Sequence, residues 1–298
     1  MSKLQKSIFQ GVATALITPF VNGEVDYIRL GRLIDFQIGR GIDALVITGT
    51  TGESSTLSDD EHRQILKFAI EKADGRVPMI AGTGSNDTRH AIDMSKYACD
   101  LGYDALLVVT PYYNKATPTG LIKSYTAIAD ASSKPIILYN VPTRTCCNIS
   151  LPVYQELAKH ERIVAVKEAS GNLSAITELA AECGDLLDIY SGNDDQTLSL
   201  LALGGKGVIS VVSNIIPTEM TELCRAWFEG DVTKSRDIQF KYLGLMKAMF
   251  WEVNPIPVKT AAELMGFCSS EMRLPMCQMS DGNRELLKKK LKEYRLMG

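Results

Sequence analysis

Lys167 is the residue whose type and setting most directly suggest chemistry. It interrupts the apolar run Ile163-Val164-Ala165-Val166, and a lysine is rarely buried unless it is paired or functional. Burial favours the neutral form of an amine, which attacks carbonyl carbons. The position therefore predicts a nucleophile that forms a Schiff base. A strand-end lysine paired with Glu168 or with a neighbouring carboxylate is the alternative that the sequence leaves open.

Two other segments carry groups that suit carboxylates. Thr50 and Thr51 lie between Gly49 and Gly52, where a tight turn presents hydroxyl groups and backbone amides to an anion. Arg144 follows a proline in another segment and has the planar geometry for a bidentate clamp on a second carboxylate. A plain strand-to-helix turn and a surface arginine are the corresponding structural alternatives.

Two tyrosines, Tyr139 and Tyr113, complete the set because phenol hydroxyls donate and accept protons. Either one, taken alone, also fits a packed side chain with a satisfied hydroxyl. An amine nucleophile, hydroxyl relays and an anion clamp together predict one catalytic site, provided that the fold brings them to the same face.

The elements that must position these residues form a repeated unit. A short apolar run is followed by a cluster of Gly, Ser, Thr, Asn or Pro and then by a longer amphipathic stretch. The runs are nearly continuous in hydrophobicity, which is typical of parallel strands covered on both faces. The eight predicted strands are Gly11–Thr18, Ala44–Thr48, Val77–Gly82, Ala105–Thr110, Pro135–Asn140, Ile163–Glu168, Leu187–Ser191 and Gly207–Val212.

Eight strands with intervening helices predict an α/β fold of the (β/α)8 TIM-barrel type. The alternative is an open doubly wound sheet, but no GxGxxG opens the first helix. A barrel places its site at the carboxyl ends of the strands, where the residues above lie. The early helices are predicted at Tyr27–Arg40, Asp59–Ala73, Asp87–Leu101 and Thr119–Ala131, and Ser58 with Glu61 forms a helix-start signature.

The strand signal stops near residue 233. We predict a barrel over residues 1–232 and, packed on it, a C-terminal extension over residues 233–298. Its three helices are predicted at 233–251, 256–266 and 282–296, with a break at Asn254-Pro255-Ile256-Pro257.

Composition excludes several classes of protein. The net charge of −3 and the scarcity of basic clusters argue against a nucleic-acid partner. No apolar run reaches transmembrane length and no signal peptide is evident, so we expect a cytoplasmic protein. Seven scattered cysteines without a CxxC motif indicate reduced thiols, and three separated histidines give no metal cluster.

The motifs at the predicted strand ends resemble those of the dihydrodipicolinate synthases, also called 4-hydroxy-tetrahydrodipicolinate synthases. These enzymes belong to the pyruvate-dependent Schiff-base lyase family that also contains N-acetylneuraminate lyase. The resemblance covers essentially the whole chain. The matching motifs are Gly49-Thr50-Thr51-Gly52-Glu53-Ser54, Ile80-Ala81-Gly82-Thr83-Gly84, Val109-Thr110-Pro111-Tyr112-Tyr113, Leu138-Tyr139-Asn140-Val141-Pro142, Val166-Lys167-Glu168-Ala169, Gly207-Val208-Ile209-Ser210-Val211 and Asn254-Pro255-Ile256-Pro257-Val258-Lys259.

The resemblance implies an activity: Lys167 forms an imine with pyruvate, and the derived enamine attacks L-aspartate 4-semialdehyde on the route to diaminopimelate and lysine. It implies no cofactor, no metal and a homotetramer built from two tight dimers. The implied roles are a proton relay of Thr50, Tyr139 and Tyr113 (the last reaching a neighbouring subunit), pyruvate-carboxylate binding by Thr51, semialdehyde-carboxylate binding by Arg144, and backbone carbonyls from Gly192 and Ile209.

A possible allosteric lysine site is implied by Ser54, His62, Asn86 and Tyr112. Asp59 and His90 depart from the His and Glu found in enterobacterial-type members, and an acidic partner for the effector's ammonium group is lost at position 90. Feedback inhibition is therefore not implied. After Arg144-Thr145, the chain has Cys146-Cys147 where the family commonly has a glycine first, so the mouth loop is expected to differ in shape.

Two alternatives stay open. Another pyruvate aldolase of the same family, acting on N-acetylneuraminate or a 2-keto-3-deoxy sugar acid, needs a roomier polar pocket, whereas Arg144 suits a short aldehyde with a carboxylate. A non-catalytic regulatory paralogue would be expected to have lost the lysine or the tyrosines, which are present here.

Overall fold

The computed structural model describes residues 7–297. Eight parallel strands form one closed barrel in the neighbour order β1-β10-β9-β8-β7-β6-β5-β4, which confirms the predicted (β/α)8 class. The strands are β1 Gly11–Ala15, β2 Phe20–Val21, β3 Glu24–Val25, β4 Ala44–Ile47, β5 Met79–Gly82, β6 Ala105–Val109, β7 Ile136–Asn140, β8 Ile163–Glu168, β9 Asp188–Ser191 and β10 Gly207–Ser210.

Helices follow the barrel strands. They are α1 Tyr27–Gly39, α2 Asp59–Ala73, α3 Thr88–Asp100, α4 Pro118–Asp130, α5 Pro142–Thr145, α6 Leu151–Leu157, α7 Leu173–Cys183, α8 Thr197–Ala202, α9 Pro217–Phe228, α10 Val232–Ala248, α11 Ile256–Leu264 and α12 Asp281–Glu293. The last three correspond to the predicted C-terminal helices. The division into a barrel over 1–232 and an extension over 233–298 stays a prediction, and its residues 1–6 and 298 lie outside the described residues.

The described chain divides into two compact units. The first comprises residues 7–11 and 78–209, and the second comprises residues 12–77 and 210–297. Within the first unit, β5 to β9 pair in parallel in chain order. Within the second, β1 pairs with β4. Strands β5 and β7 are buried at every residue, as expected for parallel strands covered on both faces.

Helix α2 begins with a reciprocal capping box, which confirms the predicted start signature. The Ser58 hydroxyl accepts from the Glu61 amide at 3.2 Å, and the Glu61 carboxylate accepts from the Ser58 amide at 2.8 Å. The Arg273 guanidinium forms a bidentate ion pair with the same carboxylate, and its two Nη atoms lie 2.8 and 2.5 Å from the carboxylate oxygens. The helix start and a distant C-terminal segment are thus joined through one carboxylate.

A small antiparallel hairpin, β2–β3, is absent from the sequence prediction. Its turn residues Asn22 and Gly23 both have positive φ, of 52° and 83°, and an Asn-Gly pair is the preferred sequence for such a two-residue turn. The Glu271 carboxylate accepts from both turn amides, and Arg273 donates to the Gly23 carbonyl at 2.6 Å. The Asn-Gly signal was available in the sequence, but the flanking strands are only two residues long.

The described helices and side-chain clusters bear on the class of protein. Within residues 7–297, no helix combines the length and apolar character that membrane crossing requires. The same stretch contains no group of three or more His, Cys, Asp or Glu side chains arranged to hold a metal ion.

The grip of Arg273 on Glu61 predicts acid-sensitive stability. Hydrogen bonds from Arg273 are the largest cause that lowers the pKa of Glu61, from an ordinary 4.5 to about 2. A carboxyl group with a lowered folded-state pKa stabilises the fold above its unfolded pKa, and this contribution is lost as pH falls from about 4.5 towards 2. Because Glu61 is 24% exposed, we expect a contribution of about 1–2 kcal/mol after screening by solvent.

The measurement is urea unfolding of wild type and Glu61→Gln between pH 6 and 3.5. The wild-type advantage should shrink below pH 4.5. Glu71→Gln is the matched control on the same helix, since Glu71 is 64% exposed and lies 4.0 Å from Lys67. A Glu61 difference that stays constant with pH would show that the ionised carboxylate is not the source of the stability.

Candidate active site

The carboxyl ends of β7 and β8 hold two of the predicted site residues side by side. Tyr139 and Lys167 are register partners in these parallel strands, and the Lys167 Nζ atom lies 4.4 Å from the centroid of the Tyr139 ring. Lys167 is only 4% exposed. A buried amine beside an aromatic ring and a phenol hydroxyl is suited to attack on a carbonyl carbon and to proton transfer in the same place.

Glu168 does not pair with Lys167, which the sequence had left as an alternative. Its buried carboxylate accepts from Asn140 Nδ2 at 3.0 Å, from Tyr154 Oη at 2.9 Å and from the Ser170 amide at 2.7 Å. Successive side chains of a strand point to opposite faces, so Lys167 and Glu168 lie on different sides of β8. Among the residues 7–297, no salt bridge joins them.

Tyr154 is held in its donating form by this arrangement. Burial, with the Glu168 carboxylate as the next cause, raises the pKa of Tyr154 well above its ordinary value. A cavity of about 360 Å³ opens on this side of the strand and is lined by Asn140, Tyr154, Glu168 and Glu178 among others. It lies on the Glu168 face of β8 and is therefore separate from the Lys167 amine.

Gly192 follows β9 at a position where only glycine fits. A Cβ atom there would lie 2.5 Å from the Ala169 Cβ atom and 3.0 Å from the Glu168 carbonyl oxygen. The Gly192 amide donates to that same carbonyl at 2.7 Å. Ile209 is fully buried within β10. Both predicted carbonyl-presenting residues therefore lie in or directly after barrel strands.

The loop after β7 carries Arg144 within the short helix α5, where the side chain is exposed. The helix is tied down by the buried Thr145, whose hydroxyl accepts from Thr110 Oγ1 at 3.0 Å. Cys146 ends the helix with a φ of 53°, in the left-handed region. This is the position at which the resemblance puts a glycine, and the positive φ explains that preference.

Tyr113 lies in the loop after β6 with a φ of 72° and is 91% exposed. Asn114 fixes the loop, since its amide donates to the Tyr112 carbonyl and its Nδ2 atom donates to the Asn86 carbonyl, both at 2.9 Å. A large aromatic side chain held outward by a fixed loop is available to a surface outside its own chain.

Thr50 and Thr51 lie together in a short 3-10 helix, Thr50–Gly52, of the second unit. Thr51 is buried, and its Oγ1 atom accepts from Asn254 Nδ2 at 3.1 Å. Thr18 Oγ1 donates to the Gly52 carbonyl at 2.7 Å. The predicted anion-binding turn is therefore fixed from two directions.

Glu53, the next residue, forms a buried ion pair with Lys259 of α11. Their Nζ and Oε1 atoms are 2.6 Å apart, and Lys259 also donates to the Glu271 carbonyl at 2.6 Å. The Lys259 side chain is fully buried. Desolvation lowers the pKa of Lys259, and the Glu53 carboxylate offsets part of that shift. Glu53 itself has a φ of 55°, so the pair holds the turn in a left-handed conformation.

The four residues implied for lysine binding are divided between the units. Ser54 and His62 belong to the second, where His62 Nε2 lies 2.8 Å from Thr48 Oγ1. Asn86 and Tyr112 belong to the first, and Asn114 donates hydrogen bonds to the backbone carbonyls of both. The two residues that differ from the enterobacterial-type members lie in helices: Asp59 is the first residue of α2, and His90 lies within α3.

No role was predicted from sequence for Glu168, Asn254 or Lys259. Two of them carry the same signal that marked Lys167, namely an ionisable residue inside an apolar run: Glu168 ends β8, and Lys259 follows Ile256-Pro257-Val258. The Asn254 contact joins residues 203 positions apart, so no local pattern could reveal it.

The left-handed backbone at Cys146 predicts a stabilising substitution. A non-glycine residue in the left-handed region destabilises the fold by about 1–2 kcal/mol. Glycine removes this strain, but its larger conformational entropy in the unfolded chain offsets part of the stabilisation. We therefore expect Cys146→Gly to raise the free energy of unfolding by about 0.5–1 kcal/mol net in chemical denaturation.

Two variants separate backbone strain from loss of the thiol. Cys146→Ala removes the thiol and keeps the strain, so it should not stabilise. Cys277→Gly is the matched control, because Cys277 is also exposed and has no positive φ; it should leave stability unchanged or lower it. Equal effects of glycine at the two positions would contradict the interpretation.

The chain is similar over almost its whole length to known proteins. The sequence profile of the "Dihydrodipicolinate synthetase family" matches residues 8–294. A 4-hydroxy-tetrahydrodipicolinate synthase of Geobacter sulfurreducens is 51% identical over 290 residues, which are 97% of this chain and 100% of the relative.

Solved structures agree with the sequence relatives. The dihydrodipicolinate synthase of Aquifex aeolicus has a TM-score of 0.95 at 47% identity, covering 97% of this chain and 99% of that one. A chloride-inhibited dihydrodipicolinate synthase of Acinetobacter baumannii, complexed with pyruvate, has a TM-score of 0.95 at 42% identity, with 97% and 99% coverage. The chain belongs to the dihydrodipicolinate synthetase family.

Proposed function

We propose that the protein catalyses the reaction of the 4-hydroxy-tetrahydrodipicolinate synthases, the condensation of pyruvate with L-aspartate 4-semialdehyde in the diaminopimelate and lysine pathway. The observation that carries the proposal is the buried Lys167 amine, 4.4 Å from the Tyr139 ring at the carboxyl ends of two paired barrel strands. The names of full-length relatives at about 50% identity support it.

The chemistry assigned to Lys167 balances without an external oxidant or reductant. The Nζ atom attacks C2 of pyruvate, and loss of one water gives the imine. Loss of a proton from the methyl group gives an enamine, whose carbon forms a bond to the aldehyde carbon of the semialdehyde, and the aldehyde oxygen takes up a proton to become the hydroxyl group of the product. The amino group of the semialdehyde then attacks C2, which closes the ring and releases the Lys167 amine.

The other roles follow from the types of group at the site. Tyr139, Thr50 and Tyr113 form the proton relay, since each has a hydroxyl group that donates and accepts. Thr51 binds the pyruvate carboxylate. Arg144, exposed on α5, binds the carboxylate of the semialdehyde through its guanidinium fork. Gly192 and Ile209 present backbone carbonyls to the substrate.

We place the enzyme in the cytoplasm as a homotetramer of two tight dimers. All seven cysteines lie within the described residues and are free thiols, which fits a reducing compartment. The outward-facing Tyr113, 91% exposed in the isolated chain, supports a subunit contact at the loop after β6.

The first experiment tests Lys167 as the nucleophile. The protein is incubated with pyruvate, reduced with borohydride and mapped by mass spectrometry. We expect the adduct on Lys167, and Lys167→Arg should abolish it and lower turnover by at least about 1,000-fold, because a guanidinium is not a usable amine nucleophile. Lys259 is the matched internal control, being equally buried but ion-paired.

An adduct on Lys259, or no adduct, would overturn the assignment. The same preparation is assayed with pyruvate and either aspartate 4-semialdehyde or the aldehyde halves of N-acetylneuraminate and 2-keto-3-deoxy sugar acids. Turnover with a sugar aldehyde alone would favour the related aldolase. Imine formation without any turnover would favour a pyruvate-binding protein.

The second experiment tests whether Tyr113 acts in a neighbouring site. Tyr113→Phe and Lys167→Ala are each expected to be nearly inactive, because a positioned proton-transfer group contributes about 100- to 10,000-fold. In a mixed dimer, one site receives both defects and the other receives neither. Activity should therefore return in proportion to the fraction of mixed dimers.

Subunit exchange is followed by native mass spectrometry so that the two outcomes are distinguishable. Mixed dimers without recovered activity would place Tyr113 in its own subunit's site or outside the reaction. A mixture of Tyr139→Phe and Lys167→Ala is the matched control. Both residues lie in the same chain's paired strands, so each site of a mixed dimer keeps one defect, and no activity should return in this mixture.

A further inference from the structure

We infer that Asn254 is a positioning residue that sets the Thr51 hydroxyl as a hydrogen-bond donor to the carboxylate of the 2-oxo acid. The inference rests on the proposed function, in which Thr51 binds that carboxylate. The structure supplies what the sequence lacks: the Asn254 Nδ2 atom donates to Thr51 Oγ1 at 3.1 Å, and both side chains are buried.

The direction of this hydrogen bond determines what Thr51 can do. A hydroxyl has one proton and two lone pairs, whereas an amide nitrogen only donates. While Asn254 donates to Thr51 Oγ1, the hydroxyl proton cannot point at that nitrogen and remains available to another acceptor. A carboxylate offers only acceptors, so this orientation suits an anionic ligand and disfavours one that must donate at this point.

The contact lies on a rigid support. On the Thr51 side, the turn is fixed by the Thr18–Gly52 hydrogen bond and by the buried Glu53–Lys259 pair. On the Asn254 side, the Glu252 carboxylate accepts from Ser280 Oγ at 2.6 Å and from Asn283 Nδ2 at 2.8 Å at the start of α12.

Because the segments that carry Thr51 and Asn254 are both fixed, neither side chain can easily shift to compensate for a changed partner. Asn254 therefore orients the Thr51 hydroxyl through its N–H donor and not through the volume of its side chain. This distinction separates a positioning role from simple packing.

Two variants of Asn254 differ in how they affect the hydroxyl. Asn254→Asp has nearly the same shape as the native residue, but an ionised carboxylate only accepts hydrogen bonds. Thr51 would turn its proton towards the new carboxylate, and a second negative charge would lie near the substrate's own. Asn254→Ala removes bulk and the donor but leaves the Thr51 hydroxyl free to rotate towards the substrate.

The experiment measures KM for pyruvate and kcat separately in both variants. We expect Asn254→Asp to raise KM by about 10- to 100-fold, the range for a hydrogen bond to a charged group. Asn254→Ala should raise KM by less than about fivefold, and kcat should change little in either, because ground-state binding is what is lost. Asn172→Asp is the matched control, since Asn172 caps α7 through its side-chain oxygen and a carboxylate can do the same.

A KM increase that is larger for Asn254→Ala than for Asn254→Asp would assign Asn254 to packing and overturn the inference. A second experiment tests the inference even if the Asn254→Asp variant does not fold. In a Thr51→Val background, which has no hydroxyl to orient, Asn254→Ala should change KM by less than about twofold. A full additive effect there would show that Asn254 does not act through Thr51. Wild type that forms no imine and shows no turnover would refute the proposed function instead.

Discussion

Strand β8 ends with two consecutive ionisable residues, and both are buried. Such a strand is stable only if each polar atom finds a partner on its own face, because an unpaired buried charge costs several kcal/mol. Glu168 meets this condition with the Asn140 amide, the Tyr154 phenol and the Ser170 backbone. That network fixes the backbone from which Lys167 projects on the other face. The position of the Lys167 amine beside Tyr139 thus depends on the hydrogen bonds of its neighbour.

The same principle governs the threonine turn of the second unit. The buried Glu53–Lys259 pair adds little net stability in general, since desolvation of both ions offsets most of their attraction. Its effect here is conformational, because it anchors a left-handed residue directly after the turn that carries Thr51. In each unit, then, a buried carboxylate that takes no part in the proposed chemistry holds a backbone segment that does.

The barrel was predictable from sequence because parallel strands covered on both faces leave long apolar runs that repeat at regular intervals. Lys167, Tyr139 and the Thr50-Thr51 turn were recognisable because each interrupts or ends such a run. The β2–β3 hairpin was missed because two-residue strands give no periodic signal. Asn254 was missed because its partner Thr51 is 203 residues away. The strain at Cys146 required the backbone angle itself, although the glycine common in the family was a correct indication of it.

The long separation of these contacts bears on how the chain matures during synthesis. Lys259 and Arg273 meet Glu53 and Glu61 across 206 and 212 residues, so the threonine turn gains these anchors only after the segment that carries Lys259 and Arg273 has left the ribosome. Until then, the Glu53 carboxylate has no Lys259 partner, and it is more stable hydrated than buried. During synthesis, the threonine turn therefore lacks both anchors for as long as that segment is still to be made. The conformation of this turn thus depends on a segment that is synthesised 206 or more residues later, and not on the neighbouring strands alone.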